Sequence, residues 1–458
     1  MKNVFNKTLL ASALMLGAGY ASAASFQLAE VSTVGLGRAY AGEAAIGDNA
    51  SVVATNPALM TRFDRNQFSA GGVLVDSHVH MYGDVTTKLN GATLAQEDAG
   101  HRKVIPRALV PNMYFVAPIN DKFVLGGGMN VNFGLKSEYE DDYAGGVFGG
   151  KTDLTALNLN FSGAYKITEG LSAGLGLNAI YAKAKIERRA GVLDTALTRA
   201  AAVAAATGSP RAPLLAGLSQ MVERDTVLTR LEDKAAWAFG WNAGLSYAFN
   251  ENHRIGLAYH SKVDIDFKDN HPLTYRAGVV NGQMGLVVPD MSGGLTLKLP
   301  DYWEFSGYHK LTDKFAMHYS YKYTRWSRLQ NLHATYSDGS TAFHKDENYK
   351  NVSRYAVGAT YELNDDWTLR TGVAYDKSAA PSEHASASIP DTDRKWFSLG
   401  ATYKVNSDMN VDFGFTHIRG KKLHFSEKQT IANLISVEGE YSSRATVNLY
   451  GINFNYSF

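Results

Sequence analysis

The chain has 458 residues, with 45 lysines and arginines against 44 aspartates and glutamates, no cysteine, 43 glycines, 25 tyrosines and 21 phenylalanines. An apolar fraction of 45% excludes a disordered chain, near-neutral charge excludes a nucleic-acid binder that works by counterion release, and the lack of cysteine removes disulfides, thiolate zinc sites and cysteine nucleophiles. Charged residues make up only 19% of the chain, below the about 25% usual in soluble domains.

Residues 1–23 begin with Lys2 and Lys7, run through Leu9, Leu10, Ala11, Ala13, Leu14, Met15 and Leu16, and close on Ala21-Ser22-Ala23. This pattern predicts a cleaved secretory signal peptide. The segment carries two lysines and no carboxylate, so its removal takes the formal charge from +1 to −1. Residues 24–65 follow and are rich in small residues, with Gly35-Leu36-Gly37-Arg38-Ala39-Tyr40 and Asn56-Pro57-Ala58. Within them the glycines fit neither G-x-G-x-x-G after a strand nor G-K-[ST], so no phosphate loop is indicated.

Beyond the leader no run approaches the roughly 18 to 20 apolar residues that a membrane helix needs. Period-2 alternation recurs instead. Leu157, Leu159, Phe161, Gly163, Tyr165 and Ile167 alternate with Asn158, Asn160, Ser162, Ala164 and Lys166, as in a strand with one apolar and one polar or small face. The same phase marks Trp237 to Phe249, Ile255 to Phe267, Phe315 to Tyr323 and the final stretch Tyr450, Ile452, Phe454, Tyr456, Phe458. Six short polar turns, at 119–122, 167–170, 249–252, 311–314, 363–366 and 405–408, carry hairpin chemistry. Seven long polar or irregular stretches lie between them, near 77–107, 136–153, 188–234, 269–292, 327–348, 377–392 and 421–438. Thirteen connections predict fourteen strands over residues 66–458. Short turns at one end, long loops at the other and aromatic-rich outward faces describe an all-β, antiparallel outer-membrane barrel. A soluble sandwich would carry more charge on its wet strand faces.

Roughly eight strands close on a packed interior, so a fourteen-stranded barrel needs something in its lumen. Residues 24–65 are predicted to be that plug. The weaker alternative is a periplasmic domain, for which about 42 residues bury little core.

Phe26-Gln27-Leu28, the Gly35 to Tyr40 block, Asn56-Pro57-Ala58-Leu59, Val110-Pro111-Asn112-Met113, Phe115 to Asn120 and Ala184-Lys185-Ile186-Glu187-Arg188 together resemble the long-chain fatty acid outer-membrane transporters, the FadL family. The resemblance runs from the plug to the last strand. It implies a monomeric fourteen-stranded barrel in the bacterial outer membrane, an N-terminal hatch and passive uptake of hydrophobic substrates. Fatty acids are the commonest cargo and aromatic hydrocarbons the alternative. Outer-membrane lipid and lipopolysaccharide are the expected surroundings, and phages are possible users of the loops.

In the fifth strand Leu175, Leu177, Ala179 and Tyr181 face lipid, so Ala182, Ala184, Ile186 and Arg188 face inward, while Lys183, Lys185 and Glu187 take the outer face as the strand rises into water. Arg188 is then either a two-pronged partner for a ligand carboxylate or a solvated rim residue in a salt bridge; the resemblance favours the first. By resemblance Lys345 joins Arg188 at that carboxylate, although a loop lysine is ordinarily solvated. Asp376 is expected to face the lumen, either holding the hatch, balancing pocket charge or standing as one of many lumen carboxylates. The resemblance further assigns Phe26 to the head of the hatch, the Asn56-Pro57-Ala58 turn to the gate, and Asn132-Phe133-Gly134 to a kinked third strand through which substrate leaves sideways. Gly126-Gly127-Gly128 on that strand would permit bulges.

Val192 to Thr207 and Pro213 to Val222 look like two short helices, serving either as part of an exposed capture groove or as a cap on the barrel mouth. The 13 histidines show no H-E-x-x-H spacing. No catalytic residue, metal or cofactor is expected. A general porin or a surface adhesin is the remaining alternative.

Overall fold

A computed structural model describes residues 26–280, 283–431 and 434–458. The predicted leader, residues 1–23, lies outside the described residues, as do the first two residues of the predicted plug.

Fourteen strands form the wall: β1 Gln67–Leu89, β2 Ala108–Pro118, β3 Phe123–Glu138, β4 Lys151–Lys166, β5 Leu171–Arg189, β6 Val227–Ala248, β7 His253–His260, β8 Tyr302–Lys310, β9 Phe315–Thr324, β10 Val352–Glu362, β11 Trp367–Asp376, β12 Arg394–Lys404, β13 Met409–Gly420 and β14 Ile435–Ser457. Each pairs antiparallel with its neighbour, and β14 closes the ring on β1 from Gln67↔Ser457 to Leu89↔Ile435. Closure of β14 on β1 removes the free edges that the first and last strands of an open sheet would present to hydrocarbon.

All six short turns fall where the sequence predicts them and share one device. An Asn or Thr side chain at the second position accepts the backbone N–H groups two and three residues on: Asn120 from Lys122 and Phe123, Thr168 from Gly170 and Leu171, Asn364 from Asp366 and Trp367. The side chain thereby satisfies donors that a two-stranded ladder leaves open.

The long stretches begin later than the hydropathy pattern indicates. Strand β1 continues to Leu89 and pairs there with Ala92–Asp98, β6 already starts at Val227, and Val263–Asp269, Gly293–Leu299, Asn331–Tyr336 and Thr341–Asp346 form a separate four-stranded sheet. Above the lipid belt the outward face meets water, so alternation of hydropathy ends while the hydrogen-bonded ladder goes on. The two predicted helices are present as α1, Leu193–Ala206, and α2, Ala212–Met221.

Burial is inverted relative to a soluble protein. Phe161, Leu177, Phe239 and Leu399 are exposed on the outer wall, whereas Asn160, Asn178 and Asn242 are buried in the lumen and bonded to one another at 2.8 to 3.0 Å. Residues 26–65 run inside the ring. Thr33 Oγ1 donates to Asn453 (2.9 Å), the Gly42 amide to Ser320 Oγ (2.8 Å), Asn56 Nδ2 to the Leu245 carbonyl (3.0 Å) and Arg354 to the Ala39 carbonyl (2.9 Å). Buried Arg38 ties the segment together through Glu43 (2.8 Å) and Asp48 (2.5 Å).

Inward-facing Gly256 makes room for this segment, since a Cβ there would sit 1.7 Å from the Ala44 carbonyl oxygen. Gly256→Leu should therefore displace the segment and raise ion conductance in planar bilayers. Gly163→Leu, where the nearest atom to an added Cβ is 3.6 Å away, should leave conductance at the wild-type level.

Candidate ligand site and lateral window

Strand β3 departs from the regular wall. Its ladder with β2 ends at Met113↔Met129, although β2 continues along β1 to Ala108 and β3 runs on to Glu138. Above it, the Glu138 amide donates to the Val104 carbonyl at 2.9 Å. A window without strand pairing therefore lies between β2 and β3. On its other side β3 skips a residue against β4, with Val131 opposite Leu157 and Phe133 opposite Ala156, so Asn132 bulges. The Gly126-Gly127-Gly128 run does not supply this bulge, contrary to the sequence expectation. Added Cβ atoms at Gly126 and Gly128 would instead strike Met60 Sδ (2.4 Å) and the Tyr114 ring (2.3 Å), so these glycines admit bulky neighbours in the lumen.

The unpaired edge of β3 is covered from inside by the start of the lumenal segment. The Leu28 amide donates to the Asn132 carbonyl (2.8 Å), the Gly134 amide to the Phe26 carbonyl (2.9 Å), and Gln27 bridges Phe133. Phe26 is 2% exposed and meets Trp326 edge-on at 4.9 Å and Phe133 at 6.3 Å. Thus Phe26, Asn132, Phe133 and Gly134 are brought together at one place.

Arg188 and Lys345 share a second place, a cavity of about 550 Å³ with Phe148, Phe343, Ser388 and Glu427 among its lining residues. Arg188 is buried and donates to the Glu187 carbonyl (2.8 Å), the Lys151 carbonyl (3.3 Å), Thr152 Oγ1 (3.2 Å) and Ser388 Oγ (2.7 Å), all neutral oxygens. Lys345 is on a strand, Thr341–Asp346, not in an irregular loop. Its Nζ lies 3.5 Å from Glu427 and 3.9 Å from Glu347. Burial pushes the Glu347 carboxyl up to about 7, Lys345 opposing and Glu427 adding to the rise. Glu427 and Ser388 carry no signal in the sequence, because each lies in a polar stretch remote from both cations.

Ala184 and Ile186 do not join Arg188 in that cavity. A register shift between Ala182 and Ala184 turns the strand, and both residues line a smaller cleft with Leu231, Phe267 and Leu295. Ala184 packs against the apolar cluster that contains Phe26, Phe133 and Trp326.

The family described as "Outer membrane protein transport protein (OMPP1/FadL/TodX)" matches residues 14–458. The chain belongs to this family. It is 55% identical to "Outer membrane protein P1" of Haemophilus influenzae over 99% of both chains, and 43% identical to "Long-chain fatty acid transport protein" of Escherichia coli (strain K12) over 100% of this chain and 99% of that one. A Pseudomonas aeruginosa FadL homologue has the same fold, with a TM-score of 0.77 at 21% identity, covering 95% of this chain and all of that one. The Pseudomonas putida toluene transporter TodX follows at a TM-score of 0.64 and 18% identity, with 93% and 98% covered. The chain is accordingly an outer-membrane transport barrel and not an enzyme.

In this FadL-family barrel the Asn56-Pro57-Ala58 turn has the bonds of an anchor. Asn56 Oδ1 accepts the Ala58 amide (3.1 Å), and Asn56 Nδ2 reaches the Ala44 (2.7 Å) and Leu245 carbonyls. Asp376 is buried, stands between Arg354 and Arg394 in strand register, and lines a small lumen cavity with Gln27, Leu28 and Ala29. It therefore faces the segment that covers the window and not the Arg188 cavity. Two sequence motifs are coincidental. Gly145 to Thr152 has the G-x-x-x-x-G-K-[ST] spacing but enters β4, not a helix, and Thr152 binds Arg188. Gly170-Leu171-Ser172-Ala173-Gly174 has the G-x-S-x-G spacing, yet Ser172 is the second residue of β5 and accepts a bond from Thr61 (2.7 Å) without a nucleophile elbow.

Phe26→Ala should release the head of the lumenal segment, because losing a buried Phe costs about 3 to 5 kcal/mol. Hydrogen exchange at the Leu28 and Gly134 amides should rise by at least about a hundredfold, while the Asn56 region stays protected.

Proposed function

We propose that this FadL-family transporter of hydrophobic substrates carries long-chain fatty acids passively across the outer membrane. The supporting observation is the convergence of Arg188 and Lys345 on one cavity whose lining also includes Phe148 and Phe343. A guanidinium held by neutral oxygens keeps its charge for an anion, and charge-assisted bonds to a carboxylate contribute about 1.5 to 3 kcal/mol each. Residues 1–23 serve as the export signal, 24–65 as the hatch and 66–458 as the barrel of a monomer. The loop helices α1 and α2 border the mouth where substrate is first captured.

Release needs a moving part. Burying an acyl chain contributes about 0.8 kcal/mol per methylene, roughly 10 kcal/mol or more for a long chain before ordering costs. In this reading ligand binding dislodges Phe26 to Leu28 from β3 while the Asn56-Pro57-Ala58 anchor holds the base of the hatch. Asp376 retains the displaced head through the polar lumen. The substrate then passes Ala184 and Phe133 and leaves through the window at Asn132-Phe133-Gly134. A lumen filled by residues 26–65 argues against a general porin.

Aromatic hydrocarbons are the second reading, favoured by the likeness to a toluene transporter. The two readings differ in their need for positive charge. Combined Arg188→Ala and Lys345→Ala should weaken oleate binding at least about tenfold and leave toluene binding unchanged; unaltered oleate affinity would overturn the pocket.

Acidity provides an independent check. Below pH 7 Glu347 is neutral, and above it the carboxylate adds a second negative charge beside Glu427. Oleate affinity should therefore fall as pH rises from 6 to 8, by up to about tenfold. Glu347→Gln should flatten that dependence in a fluorescence displacement titration.

A further inference from the structure

Transport does not account for a row of basic residues on the outer wall. On β12, β13 and β14 the exposed apolar positions end at Phe397, Phe415 and Tyr450, and on β1 Leu74 is separated from the exposed Tyr82 by the polar positions Asp76, His78 and His80. Continuing upward on the same faces come Lys395 on β12, His417 and Arg419 on β13, Arg444 on β14, and His78 and His80 on β1. Lys395 stands directly opposite Arg419, Arg444 opposite His80, and His80 opposite Arg102 on its other side. Lys395, Arg419, Arg444 and Arg102 are exposed, and among the described residues none of them makes an ion pair.

The carboxylates on this face are engaged or distant. Asp76 takes two bonds from Arg107, at 2.6 and 3.2 Å. Asp393 accepts Tyr375 Oη (2.8 Å) and the Ser378 amide (2.9 Å). Asp84 and Glu440, themselves directly opposite each other, lie four residues above His80 and Arg444, about 13 Å along the strands. Like charges placed directly opposite across a ladder are destabilising, so a counter-anion completes the arrangement. With the two-residue strand His101–Arg102 beside β1, the row crosses five adjacent strands, about 19 Å, at the upper border of the lipid-facing belt, where Tyr82 also stands. In the outer leaflet that is the level of a lipid headgroup.

We propose that this row binds the phosphates of lipopolysaccharide. Lys395 and Arg419 take one phosphate of the lipid A disaccharide, and Arg444 and Arg102, with His80 between them, take the other. Guanidinium forks suit phosphate oxygens, while the acyl chains lie along Phe397, Phe415, Tyr450 and Leu74 below. The site is outside the barrel and independent of the fatty-acid pocket.

The test compares wild-type protein with the triple variant Lys395→Gln, Arg419→Gln, Arg444→Gln, each incubated in detergent with bisphosphorylated or dephosphorylated lipid A and read by native mass spectrometry. Wild type should retain bisphosphorylated lipid A at least about tenfold better than the triple variant, with dephosphorylated lipid A bound weakly by both and oleate binding equal. Lys234→Gln with Lys262→Gln and Lys298→Gln, elsewhere on the protein, should bind lipid A as wild type does. Should the triple variant fail to fold, Lys395→Gln and Arg419→Gln singly should each show an intermediate loss. Equal retention by wild type and variants, equal binding of the dephosphorylated lipid, or an equal loss in the Lys234 control would overturn the proposal.

Discussion

Hydrocarbon offers no partner for a backbone N–H or C=O, so every such group at membrane depth must be bonded within the chain. Fourteen strands closed from β14 onto β1 meet most of that demand, but the ladder between β2 and β3 stops at Met113↔Met129. There the chain borrows its own N-terminal segment, whose Leu28 amide and Phe26 carbonyl satisfy Asn132 and Gly134. Wall integrity and lumen plugging are thus one interaction. A displacement of residues 26–28 would free polar backbone groups of Asn132 and Gly134 at the window.

The two ends of the lumenal segment are held by different forces. Its base is fixed by directional polar contacts: Arg38 with Glu43 and Asp48, Asn56 with Ala44 and Leu245. Breaking a buried ion pair costs about 3 to 5 kcal/mol, so this part resists small displacements. The head is held by the packing of Phe26 on Trp326 and Phe133 and by two backbone bonds. Apolar packing is non-directional and can be replaced by another apolar group, such as an acyl chain. A ligand can compete with the head without competing with the base.

Charge in the upper cavity follows a similar logic. Arg188 is held by carbonyl and hydroxyl oxygens, whereas Lys345 is offset by Glu427 and Glu347. The pair is therefore unequal, with one cation uncommitted to a carboxylate and one already partly balanced. This inequality could not be read from residue types, since an arginine and a lysine in polar stretches look alike until the folded neighbours are known. The same holds for Ala184 and Ile186, whose inward phase was legible but whose destination was changed by the bulge between Ala182 and Ala184.

Strand number, hairpin positions and the inside-out polarity were determined by the sequence alone, because alternation against lipid is a property of adjacent residues and each Asn or Thr turn closes within four. The strand tops, such as Val227 to Lys234, escaped that reading because water replaces lipid on their outer face. Only the tertiary structure decided where the ladder fails, which part of residues 26–65 covers the failure, and that Arg188, Lys345, Ser388 and Glu427 share one cavity. Those outcomes depend on how a closed ring brings distant loops over its mouth, and no local periodicity encodes a contact between residues hundreds of positions apart.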